Sequence, residues 1–180
     1  MTRREDFFEV DLKQVPLPDL DPDWSASKGY TREEMSGWIC QLAEIQRRMR
    51  EENWRATDFE RLRQSPEPAE RALAETYYKF YGHGANGRGL NHDFIKLEWA
   101  GDHYEITNGR HRIWLAKQFG LATMPARVWA PDRATLERLR LDGDRAAQRP
   151  ERGERSEPPA PWERSGRNEP ERDHCRDRLR

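Results

Sequence analysis

Between Tyr104 and Ala130 the chain reads YEITNGRHRIWLAKQFGLATMPARVWA, and this stretch permits few folds. Tyr104 and Ile106 alternate with polar residues as a strand does, and Asn108-Gly109 ends that strand in a turn. Ile113, Ala116 and Phe119 then recur at helical spacing until Gly120 stops the helix, and a second strand follows. Running a strand through a glycine turn into a helix places Arg110, His111 and Arg112 in the helix's first turn. Unpaired backbone N–H groups and the positive end of the helix dipole already favour negative charge there. The stretch therefore predicts an anion-binding turn at an exposed helix start. The alternative is a surface helix whose arginines pair with nearby carboxylates.

The residue types suit the first reading. An arginine fork pairs two phosphate oxygens at once, and an imidazole beside it donates one more bond. Asn108 holds such a turn through its own backbone or by adopting a left-handed conformation. The pattern of strand, Asn-Gly, x-His-Arg, apolar helix, Gly-Leu and a strand with Met-Pro-Ala-Arg-Val resembles the ParB/sulfiredoxin superfamily. The strong part of the resemblance spans Ile95 to Val128, with a weaker echo in Val10-Asp11-Leu12 and Val15-Pro16-Leu17. It implies a small α+β domain with a mixed sheet and packed helices. It also implies that Gly109 is the motif glycine, that His111 and Arg112 face a phosphate, and that Ala116 lets the helix pack closely. With Asn108 and Arg110 these residues make up the candidate site. The ligand so implied is a nucleotide, CTP or ATP, accompanied by Mg²⁺.

Sulfiredoxins carry a catalytic cysteine directly after the motif glycine, where this chain has Arg110, and neither Cys40 nor Cys175 is close in sequence. Reductase chemistry is thereby excluded. The Glu-Asn motif with which partition proteins help hold Mg²⁺ and CTP is missing, and no helix-turn-helix pattern follows the motif. Two alternatives stay open: a ParB-like nuclease, and a nucleotide-switched binding module without catalysis. The nuclease reading treats Phe94 to Phe119 as a ββα module with His92 as base and Asn108 and His111 in support.

The loop from Tyr81 to Asn91 contains Gly82-His83-Gly84-Ala85-Asn86-Gly87, a formal dinucleotide fingerprint. A helical pattern precedes it and a strand follows, the reverse of what that fingerprint needs. Its glycines suit either a plain connector or a lid that brings His83, Arg88 and His92 over a bound ligand. Histidines His83, His92, His103 and His111 lack the short paired spacings of zinc motifs, so no metal ligands are assigned. Acid or base candidates outside the motif are Glu9, Asp11, Glu98, Asp102 and Glu105, with Glu105 on the strand face opposite Tyr104 and Ile106.

The 180 residues suffice for one domain, and 34% hydrophobic with 36% charged residues is a lean globular composition. No run reaches the length of a transmembrane helix, and MTRREDFFEV lacks the apolar stretch of a signal peptide, which predicts a cytoplasmic protein without a membrane partner. A net charge of −1 confines any nucleic-acid contact to a local patch, and no oligomeric state follows from the sequence. A strand is expected over Phe7 to Leu12, then a proline-rich connector through Pro16, Pro18 and Pro22. Thr31 and Glu34 have capping-box spacing ahead of a stripe formed by Met35, Trp38, Ile39, Leu42, Ile45 and Met49. A second helix is expected after Ser65-Pro66, a hairpin through Gly101-Asp102, and a short last helix capped by Asp132 with Leu136 and Leu139 inside. From Asp142 to Arg180 aliphatic residues almost vanish, which predicts a domain over residues 1–141 and a disordered tail over 142–180.

Overall fold

The computed structural model describes residues 4–20, 29–82 and 94–149. The elements in chain order are β1 (Arg4–Asp11), α1 (Arg32–Glu51), α2 (Ala56–Leu62), α3 (Pro68–Tyr81), β2 (Lys96–Trp99), β3 (Tyr104–Asn108), α4 (Arg110–Gln118), β4 (Thr123–Ala130) and α5 (Arg133–Ala147). This is an α+β domain. Its four strands form one mixed sheet in the order β1-β4-β2-β3. β1 pairs antiparallel with β4, β2 and β3 form the expected antiparallel hairpin, and β2 and β4 lie parallel.

β4 sits inside the sheet and is buried along most of its length, as a central strand covered on both faces should be. Pro125 is tolerated there for a geometric reason. The N–H of Arg127 donates to the Ile95 carbonyl, so the nitrogen two residues earlier points the same way, beyond the start of β2, where no ladder bond is lost. On the side of β3 away from β2, Tyr104 N–H donates to the Gln14 carbonyl at 3.4 Å.

The sheet and helices enclose a core that includes Val10, Ile39, Leu42, Leu97, Ile113, Leu115, Met124 and Val128. α1 begins with the expected capping box: the Thr31 hydroxyl accepts from Glu34 N–H, and the Glu34 carboxylate accepts from Thr31 N–H at 2.8 Å. The expected stripe faces inward, with Met35, Ile39, Leu42 and Ile45 buried. Helix α2 was not expected from the sequence. It is seven residues long, too short for a periodic pattern, and holds its place through Phe59, whose ring stacks on Tyr77 at 4.1 Å in a second apolar cluster with Ile45 and Leu73.

The final helix corrects the expected domain boundary. Asp132 caps it as predicted, its Oδ1 accepting from Thr135 N–H at 2.7 Å, but the helix is not short and runs six residues past Leu141. Gly143 and Ala146 are buried on it. The expected boundary followed the loss of aliphatic residues after Leu141, and Gly143 lies beyond it in a helix where glycine costs about 1 kcal/mol relative to alanine. Here it lets α5 lie directly on β1: a Cβ at this position would stand 1.8 Å from the Glu9 carbonyl oxygen. The compact unit accordingly ends at Gln148. Of the expected disordered tail over residues 142–180, residues 142–147 are helical, and residues 150–180 lie outside the described residues.

Gly143→Ala is therefore expected to destabilise the domain by about 1–3 kcal/mol in chemical denaturation, since backbone must move to admit the methyl group. A chain ending at Leu141 should likewise be less stable than one ending at Gln148. Equal midpoints for those two truncations would show that the last turns of α5 hold nothing together.

Candidate functional site

The turn between β3 and α4 has the geometry the sequence demanded. Gly109 is the N-cap of α4 and adopts φ +96°, in the left-handed region. It is also packed tightly: a Cβ there would approach Ile95 Cγ1 to 2.8 Å. Both constraints require glycine. The neighbouring Asn108 braces the turn through its Nδ2, which donates to the Phe94 carbonyl at 2.7 Å. That bond ties the end of β3 to the residues that lead into β2.

α4 begins without a side-chain cap and has no acidic residue in its first turn. A helix start of this kind keeps its positive end uncompensated by its own sequence. Three cationic or ionisable residues surround it, at three different depths. Arg110 is exposed, and its Nη2 donates to the Asp19 carbonyl at 2.5 Å. His111 is half-buried. Burial first, and the Arg110 charge second, hold its pKa below the ordinary 6.5, so the imidazole is neutral at pH 7. Arg112 departs from expectation, being only 7% exposed rather than projecting from the surface. The helix turns at 3.6 residues, so the residue two beyond Arg110 rotates inward, beside the buried Ile113, Leu115 and Ala116. The close packing expected of Ala116 agrees with its complete burial.

Beside this turn the same helix bears Trp114, half-buried, with the Arg32 guanidinium 5.4 Å from its ring centre. At the far end of α4, Lys117 Nζ donates to the Leu12 carbonyl at 2.5 Å. Burial lowers the pKa of this lysine, and nearby Asp11 opposes the shift. Sequence reading passed over Lys117 because its partner lies 105 residues away and leaves no local signal.

The remaining candidates are dispersed. His103 lies in the β2–β3 turn at the other end of the hairpin from Gly109, where its Nδ1 meets Asp102 Oδ1 at 2.6 Å. Glu105 and Asp102 are exposed, and Asp11 is buried with its Oδ1 accepting from Lys13 N–H at 2.9 Å. Glu9 is committed to structure. It accepts from the hydroxyls of Tyr81 and Thr123, while Gln46 Nε2 donates to the Thr123 carbonyl at 3.1 Å. This network joins β1, β4, α1 and α3, and burial together with the Glu9 charge pushes the Tyr81 phenol well above its usual range. The proposed lid residues His83, Arg88 and His92 lie outside the described residues, as does the base of the nuclease reading. The hairpin and helix of that reading are present as β2, β3 and α4. Among the described residues no group of three His, Cys, Asp or Glu comes together as metal ligands, and no helix is long and apolar enough to cross a membrane.

Comparison of the chain with protein-family models, with curated proteins and with solved structures finds no match in any of the three.

The low pKa of His111 gives the site a pH signature. In the unfolded chain the imidazole takes its proton near 6.5, and in the folded chain only at lower pH. Its contribution is thus fully present above about pH 6.5 and is lost as pH falls through the folded value. His111→Gln should flatten the stability profile across that window in urea unfolding at several pH values. An unchanged slope would place the titrating group elsewhere.

Proposed function

We propose that this domain belongs with the ParB/sulfiredoxin-like proteins and binds a nucleotide or another phosphate-bearing ligand at Gly109–Arg112. The observation that carries the reading is the start of α4. A left-handed glycine, packed so closely that no side chain fits, opens a helix with no cap of its own, no acid in its first turn and three cationic or ionisable residues in sequence. Backbone N–H groups at such a start suit phosphate oxygens. The exposed Arg110 supplies a fork for the approaching anion, and the buried Arg112 supplies charge from a medium of lower dielectric, where it acts more strongly. Neutral His111 donates one hydrogen bond or, on taking a proton as the anion arrives, adds a charge.

CTP and ATP are the nucleotides to test first. Mg²⁺ would enter with the phosphates, since this ion commonly uses one or two carboxylates and completes its shell with phosphate and water. Two activities sit above binding. Transfer or hydrolysis of the phosphate, including cleavage of nucleic acid, would make the protein an enzyme; a conformational change read by a partner would make it a switch.

The test is calorimetric titration with CTP, ATP, GTP and a short DNA, each with and without Mg²⁺, followed by a search for product. Arg110→Ala is expected to weaken phosphate-ligand binding about tenfold while leaving the melting temperature of the free protein nearly unchanged, because the side chain is exposed. Affinity should rise as pH falls toward the folded pKa of His111, more steeply than in His111→Gln. Binding that ignores both substitutions would place the ligand elsewhere, and no binding by any of the four would defeat the proposal. Product formed only with Mg²⁺ separates the enzyme from the switch.

A further inference from the structure

A second site lies at the other end of the hairpin. A cavity of about 450 Å³ opens at the carboxyl ends of the parallel strands β2 and β4, and its wall is completed by the first turns of α5. Its volume falls in the range of small-molecule sites. Its position follows the general preference of ligands for the crevice beyond the carboxyl ends of parallel strands. Asn108, the last residue of β3 before Gly109, lies opposite Lys96, whereas the cavity begins at Glu98 and Trp99, so it does not share residues with the α4 turn.

The lining has a definite chemical character. Trp99 and Trp129, both half-buried, line it from opposite faces of the sheet: Trp129 shares the face of its register partner Glu98, and Trp99 the face of Tyr104. Trp99 is held in place by an edge-on contact with the fully buried Tyr104, ring centres 5.0 Å apart. The Arg138 guanidinium lies 5.5 Å from the Trp99 ring centre, and its side chain is exposed at the cavity rim. Arg138 follows Thr135 by about one turn of α5, and its guanidinium faces the space that Thr135 lines. Glu98, half-buried, is the acidic residue of the lining, across the register from Trp129.

We propose that this cavity binds a planar aromatic or heteroaromatic ring bearing a carboxylate. The ring lies against the Trp99 indole, where aromatic contact adds to burial, and the carboxylate meets Arg138 at the rim. The site is independent of the phosphate reading, and either can fail alone.

The test uses the full chain and three probes: indole-3-acetate, tryptamine and cyclohexylacetate. Indole N–H resonances are followed by NMR, with Trp99→Phe and Trp129→Phe to assign the two signals. Indole-3-acetate should shift the Trp99 signal saturably. Tryptamine, with the opposite charge, and cyclohexylacetate, without the aromatic ring, should each bind about tenfold more weakly or less. Arg138→Gln, an exposed change that leaves the fold intact, should remove the advantage of indole-3-acetate over tryptamine. No saturable shift at Trp99, equal or tighter binding of tryptamine or cyclohexylacetate, or an unaltered preference in Arg138→Gln would each overturn the proposal.

Discussion

The contact between Gly109 and Ile95 determines how much of this molecule can exist. β2 and β4 are parallel neighbours, so the chain must cross from one to the other, and it does so through β3 and α4. That crossover pivots at Gly109. With no Cβ, the turn closes onto Ile95, α4 starts at once, and its Ile113, Leu115 and Ala116 reach the core. A side chain at Gly109 would meet Ile95 at 2.8 Å and would also strain the left-handed backbone. The contact that packs the fold is thus the one that exposes an uncapped helix start. Structure and candidate function share a single constraint, which is why the two cannot be varied separately at this residue.

Other polar interactions lock the surrounding elements rather than serve chemistry. Glu9 accepts hydroxyl donors from β4 and α3, and Gln46 of α1 donates to the backbone of the same Thr123. Removing one member leaves buried partners unsatisfied, which costs more than the bond itself is worth. The arrangement therefore selects one packing of α1 and α3 over the sheet. α5 performs a similar task from β1 through the close approach of Gly143, and Arg140 adds an ion pair with Asp6 at the surface.

What could be read from the sequence follows from the range of each signal. Capping at Thr31 and Asp132, the apolar stripe of α1, the start of α3, the β2–β3 hairpin and the Gly109 turn all depend on residues within a few positions of each other, and each is present. α2 was missed because seven residues cannot display a period. The end of α5 was missed because aliphatic residues almost vanish after Leu141, whereas the buried Gly143 answers to a backbone 134 residues earlier, at Glu9. The depth of Arg112 was misjudged for a related cause. Charge suggested a surface position, and only the rotation of α4 on the core determines that this arginine turns inward. The cavity beside Trp99 and Trp129 was invisible, since strands that become parallel neighbours are separated in sequence by a hairpin and a helix.

The central claim is that the backbone at the start of α4 receives a phosphate. Its most direct measurement is an amide-resolved NMR titration of the full chain with CTP and then ATP, each with Mg²⁺. The account expects saturable shifts concentrated at the N–H groups of Arg110, His111 and Arg112, with Asn108 and Gly109 responding as the turn tightens. Saturable shifts confined to other elements, or none at millimolar nucleotide, would contradict it.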